Sequence, residues 1–343
     1  MRRRDFIIAS AAALSSPVRR LWADHHFASS FPLVVEFDLA SLQGRYTRNV
    51  DFYIRNHFEA PEAAAQPFIA IEGEVERPLR LGMDDLRHLP EKRIGAVLEC
   101  AGDPVKAVSL VSDGLWRGWP LHDVISPAKP RATGRYAHLA GRDGFARSVP
   151  TSWLMNDGLL ATSLNGSPLG RNHGAPWRAL IPGWYGVNSV KWLEKITLAQ
   201  TPLPPEGNTY LELWREVSGS VQRKPLPPVQ VKSVITSPAN GAVLRRGKLR
   251  AGGLAWSGSG KIASVHVSGD GGGHWHPATI DAGSSRYDWV RWNAALELNQ
   301  PGVVELASKA VDSAGNSQPP RRDPCRVDYY AYNVWDRIRC IVV

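Results

Sequence analysis

The sequence predicts an α+β fold in two parts: a domain of mixed strands and short helices, followed by an all-β sandwich. Three observations carry that prediction. The chain has 343 residues, more than a single ordinary core needs. Up to about residue 200, short apolar runs alternate with turns and a few helical patterns, whereas from Val231 onward only strand-like runs with turn signals between them occur. Between the two lies a stretch, residues 199 to 231, holding Pro202, Pro204, Pro205, Pro225, Pro227 and Pro228, which reads as a linker wrapped along both domains. The boundaries expected are 1–23 for a leader, 24–230 for the first domain and 231–343 for the second.

The leader is read from Met1-Arg2-Arg3-Arg4-Asp5-Phe6, the weakly apolar Ile7 to Leu14, and Pro17. A basic start, a short apolar run and small residues make a signal peptide, and Arg3-Arg4-Asp5-Phe6 resembles a twin-arginine export signal, which implies a periplasmic, already folded passenger. A basic, flexible arm is the competing reading, and it leaves the Ala-rich run unexplained. Residues 1 to 23 carry five arginines and one aspartate, a net +4, so their removal takes the chain from +9 to +5. The remaining basic residues are scattered, which argues against nucleic acid, and no later run is long and apolar enough to span a membrane. A mildly basic face suits anionic substrates or an acidic redox partner.

Residues 24 to 48 are expected to wrap over a domain surface. Phe52 to Phe58 is an aromatic strand candidate on which Arg55 and His57 share a face, suited to holding an anion or simply a solvated strand end. Phe68 to Val75 and Pro78 to Leu81 read as two strands around a turn, and Met83 to Pro90 as a short helix closed by proline. Ile94 to Leu98 reads as a buried strand that delivers Cys100 into the turn Gly102-Asp103-Pro104. Gly114 to Leu121 is expected as a glycine- and aromatic-rich loop, with Trp116 and Trp119 as pocket walls or core, before a short helix at His122 to Ile125. Ser148 to Leu154 suggests the start of a helix, Leu159 to Leu164 a strand, and Asn165-Gly166 a hairpin turn. In the second domain, strands are expected within 234–244, at 264–268, at His274-Trp275 and at 303–310.

Chemistry concentrates in two places. Cys100 stands just past a strand end, where a scaffold presents a ligand or a nucleophile, although a lone cysteine also packs as a small hydrophobe. The polar cluster Arg171-Asn172-His173-Gly174-Ala175-Pro176-Trp177-Arg178, followed by Lys191, supplies donors for an anionic group, and its glycines let backbone approach closely. Three cysteines are an odd number for an exported chain. Pairing of Cys325 with Cys340 would leave Cys100 free. No C-x-x-C-H haem motif, paired-cysteine zinc spacing or iron–sulfur spacing occurs. Gly258-Ser259-Gly260-Lys261 fails as a phosphate loop, because Ala255 and Ile262 occupy the positions a leading glycine and a Ser or Thr would need.

Taken together, Phe52-Tyr53-Ile54-Arg55-Asn56-His57, Leu98-Glu99-Cys100-Ala101-Gly102, the Arg171 to Arg178 cluster and Val190-Lys191-Trp192-Leu193 resemble, in order, the sulfite oxidase family of molybdenum-cofactor enzymes. Ala255-Trp256-Ser257-Gly258 and Val267-Ser268-x-Asp270-Gly271-Gly272 resemble that family's immunoglobulin-like domain. The resemblance runs from about Asn49 to the C-terminus. It implies a first domain of sulfite oxidase type that binds the molybdenum cofactor (Mo-molybdopterin), with Cys100 as the thiolate on the metal. A soft thiolate suits a metal that accepts two electrons. Asn56, His57, Asp143, His173, Arg178 and Lys191 are then the cofactor-holding positions, Arg55 touches cofactor and substrate, Trp116 is a pocket wall, and Tyr210 is the tyrosine near the metal, with Tyr185 behind it.

The resemblance implies oxidation of a small oxyanion, sulfite first, with electrons passed to a separate cytochrome or haem subunit, and dimerisation through the second domain. Two departures bear on the substrate. After Cys-Ala-Gly the family carries an asparagine and an arginine, where this chain has Asp103-Pro104-Val105-Lys106, and Asp103 near the pocket is expected to repel a dianion. In the second domain Lys261 stands where an arginine reaching the pocket is expected, and lysine lacks the bidentate fork. The competing functions are a same-fold enzyme acting on another substrate, such as a sulfoxide, and a non-catalytic exported binding protein.

Overall fold

The computed structural model describes residues 26–103, 108–204, 210–283 and 285–343. The leader and Pro104-Val105-Lys106 lie outside the described residues. Among those described, no helix is long and apolar enough to cross a membrane.

Beside a three-stranded sheet of His26–Ser30, Leu33–Glu36 and Ile54–Arg55, two five-stranded sheets build the body of the first domain. In one, Lys92–Glu99 pairs with Val111–Pro120, which pairs with Leu159–Leu164, whose other edge carries Ser167–Pro168 and Arg178–Leu180. The other runs Leu79–Gly82, Phe68–Gly73, Leu193–Ala199, Tyr136–Gly141, Ala146–Pro150, with one parallel pairing between Leu193–Ala199 and Phe68–Gly73. Leu86, Leu121, Val124, Ile125, Leu139, Leu154 and Ile196 are buried in a core that the second sheet shares with the short helices Met83–Leu86, Leu121–Ile125 and Thr151–Asp157. Asn165 and Gly166, at φ of 50° and 83°, close the hairpin that the sequence predicts.

The segment Gly114 to Leu121 differs from expectation. Leu121 opens the helix Leu121–Ile125, and Gly114 to Pro120 are the last seven residues of the ten-residue strand Val111–Pro120. Its glycines are packing devices. A Cβ on Gly118 would strike the carbonyl of Leu160 on the neighbouring strand, and one on Gly114 the side chain of Leu164, so glycine here admits close approach inside a strand. The proline-rich linker also holds more order than expected, because Leu211–Arg215 and Val221–Pro225 form an antiparallel hairpin.

The second domain is a β-sandwich. One sheet runs Lys232–Ser237, Gly247–Trp256, Val290–Leu298, Thr279–Ile280, and the facing sheet Val243–Leu244, Asp336–Val342, Gly302–Asp312, Ile262–Ser268, His276–Pro277. His274 and Trp275 precede the last of these strands instead of forming one. Between the sheets lie Val265, Val267, Trp292, Leu296, Leu306 and Cys340. Cys325 is exposed and both it and Cys340 are free thiols, which settles the pairing that the sequence leaves open: the two are not bonded.

The two domains clasp the strand Lys92–Glu99. Val97 N–H donates to the Tyr287 carbonyl at 2.9 Å, and the Ser285 hydroxyl to the Gly95 carbonyl at 2.6 Å. Further along, Ala331 N–H donates to the Ala101 carbonyl at 2.8 Å. The N-terminal segment crosses over as well, with Arg45 ion-paired to Asp288 at 3.2 Å.

Candidate cofactor and active site

Cys100 follows the strand Lys92–Glu99, and its N–H donates to the Leu110 carbonyl at 2.8 Å, which fixes the turn against the strand Val111–Pro120. Its thiol faces a pocket lined by, among others, Tyr53, Arg55, His57, His173, Lys191 and Tyr210. Burial pushes the thiol up to about 11, against the pull of the Gly102 N–H and of Arg55. Without a metal this is therefore a thiol. A bound metal would deprotonate it.

Around it stands a cationic wall. Lys191 donates to Asn56 Oδ1, to the Asn172 carbonyl at 2.9 Å and to the Arg55 carbonyl at 3.4 Å. Arg178 is buried, donates to the Ser189 carbonyl at 2.6 Å and lies 5.5 Å over the Trp116 ring. None of Arg55, Arg178 and Lys191 is ion-paired with a carboxylate among the described residues, and Asp143 is the one carboxylate lining the pocket. Desolvation, and then the neighbouring cation Arg178, hold Lys191 well below the ordinary lysine value. Desolvation alone takes Arg178 down to about 10.

Gly174 makes this convergence possible. It has φ 102°, and a Cβ there would sit 3.0 Å from Arg178 Cβ and 3.1 Å from Lys191 Cβ. Asp143 accepts from the Phe145 N–H at 3.1 Å, and its carboxyl is raised by burial despite that bond and Lys191. At the mouth, His57 Nδ1 and the Tyr210 hydroxyl are 3.2 Å apart.

His173 packs edge-on against Phe52, 5.6 Å between centroids. Burial, then Lys191 and Arg178, push its imidazole down to about 3 from 6.5, so it stands neutral at working pH. Between those values the unfolded chain binds a proton that the folded chain refuses, so stability rises with pH across that window. The unfolding temperature of cofactor-free protein is expected to fall on acidification from pH 6.5 toward 3, and to fall less steeply in His173→Gln. Equal slopes in calorimetry would show that His173 does not carry the effect.

Several expectations are corrected. Trp116 is fully buried and does not line the pocket; its indole N–H is spent on the Ala96 carbonyl at 3.1 Å, and the ring lies beneath Arg178. Tyr185 is buried too, with its hydroxyl accepting from Gln230 N–H at 3.2 Å. Asp103 turns away from the pocket: its Oδ1 accepts from the N–H groups of Ser109 and Leu110 at 3.0 and 2.7 Å, and its Oδ2 lies 4.0 Å from Lys232 Nζ. It does not face a bound dianion. Lys261 is exposed on the turn before Ile262–Ser268 and lines no part of this pocket.

Sequence reasoning missed Arg147, a buried guanidinium bonded to Asn188 Oδ1 at 3.2 Å and 5.6 Å from the Tyr210 ring centroid. It also missed Tyr329 and Tyr330, whose rings rest on the Cys100 turn, 3.2 and 3.4 Å from where a Gly102 Cβ would stand. Nothing in their local pattern marks them. Tyr53 was within reach, since it belongs to the motif that carries Arg55.

The donor set fits one kind of guest. Among the described residues no three His, Cys, Asp or Glu side chains converge, so a metal at Cys100 must bring its remaining ligands with it. Unneutralised buried cations call for a bulky anion. A molybdopterin, with its dithiolene and phosphate, meets both demands: Cys100 would ligate the metal, while Lys191, Arg178, Asn56, His57 and His173 would hold the pterin and its phosphate.

Comparison with known proteins agrees. A family described as oxidoreductase molybdopterin binding domain matches residues 57–206, and one described as Mo-co oxidoreductase dimerisation domain matches 223–342. Sulfite oxidase of Gallus gallus is 30% identical over 311 residues, covering 80% of this chain and 68% of its own. Sulfite oxidase of Arabidopsis thaliana is 30% identical over 346 residues, covering 84% and 86%. The crystal structure of the sulfane dehydrogenase SoxCD from Paracoccus pantotrophus superposes with a TM-score of 0.83 at 26% identity, over 97% of this chain and 92% of that one. Fold and site thus define an oxidoreductase that uses the molybdenum cofactor, with a mixed cofactor-binding domain and an immunoglobulin-like sandwich. The chain belongs to the sulfite oxidase family of molybdenum-dependent oxidoreductases.

Proposed function

We propose that the protein oxidises sulfite to sulfate in the periplasm and passes the electrons to a separate cytochrome. The observation that carries the sulfite reading is Arg55: its side chain lines the pocket that Cys100 faces and its charge acts on that thiol, while its Nη1 is tethered to the Asn56 carbonyl at 2.8 Å. A small oxyanion between Arg55 and the cofactor meets a fixed cation. The names of the relatives support the same substrate.

The bound cofactor supplies the two-electron oxygen-atom chemistry. Sulfite gains one oxygen derived from water and releases two electrons and two protons. The chain's residues bind and orient: Arg55 holds the anion, the Tyr210 hydroxyl offers a neutral donor beside His57, and Phe52, Tyr53 and Leu98 line the pocket with apolar surface. No haem motif occurs in the sequence, which supports a separate one-electron carrier. Export rests on Arg3-Arg4-Asp5-Phe6. A homodimer is supported by the description of the second family match and by an apolar stripe across that domain. There Val243, Ile341 and Val303 are cross-strand neighbours, each at least 45% exposed.

Sulfite-dependent reduction of cytochrome c by molybdenum-replete protein tests the reading, and no turnover would sink it. Arg55→Gln is expected to raise KM for sulfite about ten- to a hundredfold, the worth of one charge-assisted hydrogen bond, with a smaller change in kcat. The likeness to the sulfane dehydrogenase favours one rival, a sulfane sulfur atom as the electron donor. Turnover of such a compound without turnover of sulfite would select it.

A further inference from the structure

The residues on either side of Cys100 are tied to a single lysine of the other domain. Glu99 is 1% exposed, and its two carboxylate oxygens are taken separately. Oε1 pairs with Lys232 Nζ, and Oε2 accepts from the Trp256 indole N–H at 2.7 Å. Lys232 and Trp256 are themselves cross-strand partners in the sandwich, so the pair arrives as one rigid unit. Beyond the thiol, Asp103 Oδ2 lies 4.0 Å from the same Nζ, is buried and makes no hydrogen bond. The turn from Glu99 to Asp103, with Cys100 inside it, is therefore bracketed by two carboxylates that one ammonium holds.

A domain joint needs none of this. Buried ion pairs lose in desolvation much of what attraction returns, and a packed apolar contact would join the domains at least as well. Nor are the charges placed at random along the interface: both carboxylates belong to the turn that presents the thiol. With Glu99 and Asp103 ionised and Lys232 charged, the cluster leaves one net negative charge beside the sulfur. The charges of Asp103 and Glu99 both oppose ionisation of the Cys100 thiol, and Arg55 favours it.

We propose that Lys232, through Glu99 and Asp103, is a positioning residue for Cys100: it fixes where the sulfur stands and sets the charge next to it, and so tunes the metal that the sulfur holds. The inference rests on the family's cofactor and not on the identity of the substrate.

Three variants, Glu99→Gln, Lys232→Met and Lys232→Arg, test it at pH 8, with the midpoint potential of the metal followed by redox titration and the unfolding temperature of cofactor-free protein followed in parallel. Glu99→Gln removes one negative charge while keeping an acceptor oxygen, and the potential is expected to rise. Lys232→Met frees both carboxylates from the ammonium, and the potential is expected to depart from the wild-type value while the unfolding temperature falls. Lys232→Arg is expected to restore the wild-type potential. A raised potential in Glu99→Gln supports the proposal. A wild-type potential in Glu99→Gln would reduce the cluster to a joint and overturn it. Should Lys232→Met fail to fold, Glu99→Gln decides alone, by a raised or an unchanged potential. Absence of molybdenum from the wild-type protein would instead strike the cofactor assignment.

Discussion

Cys100→Ser is expected to lose at least about a hundredfold in turnover while keeping its fold. Residues that merely support a metal ligand cost about ten- to a hundredfold when replaced, and the ligand itself is worth more. Serine is smaller than cysteine, and the contacts that shape this turn are made by backbone: Cys100 N–H to the Leu110 carbonyl, Asp103 N–H to the Cys100 carbonyl at 3.0 Å, and Ala331 N–H to the Ala101 carbonyl. The cationic wall is untouched, so pterin should still bind. Metal analysis, fluorescence of released pterin and the rate of substrate-dependent acceptor reduction, measured on one preparation, separate these effects. Undiminished metal and activity would defeat the assignment of Cys100.

Lys191→Met is expected to act on the other half of the site. One charge-assisted hydrogen bond to a buried anion is worth roughly 1.5–3 kcal/mol, so cofactor occupancy should fall about ten- to a hundredfold under limiting supply. The cofactor-free protein should respond differently. There, burial together with Arg178 and Arg55 opposes the Lys191 charge, so the folded protein gives up its proton below the usual lysine value of 10.5 while the unfolded chain keeps it. The unfolded state then binds more protons between the two values, and stability rises with pH there. Methionine removes that rise. Calorimetry of wild-type and variant apoprotein above neutral pH checks the slope, and full occupancy in the variant would remove Lys191 from the cofactor site.

Much of this site is legible because its parts are contiguous. Arg55, Asn56 and His57 follow one another, as do Leu98 to Gly102, and the Arg171 to Arg178 cluster carries His173 and the buried cation Arg178 within eight residues. Short runs with turn chemistry fix local structure, which explains why Leu159–Leu164 and its Asn-Gly turn fall where period and composition place them. Gly114 to Leu121 misleads for the opposite reason. Glycine signals a loop by its freedom, but in Val111–Pro120 it is required by what neighbouring strands bring against it, and no local pattern contains those strands.

The direction in which a side chain points is likewise decided by partners outside its own motif. Asp103 is next to the pocket in sequence, yet the backbone N–H groups of Ser109 and Leu110 and an ammonium 129 positions further along turn it from the substrate. Trp116 sits at the right place for a wall and is held under Arg178 by the Ala96 carbonyl. The sequence by itself determined the fold class and the family's cofactor, and it marked Cys100 and the cations around it as candidates to hold that cofactor, because residue chemistry in short ordered motifs suffices for this. Only the tertiary structure decided which aromatic side chains meet the pocket, that both carboxylates flanking Cys100 answer to Lys232, and that no disulfide joins Cys325 to Cys340. Those facts depend on contacts between residues a hundred or more positions apart, or on a burial that composition does not encode.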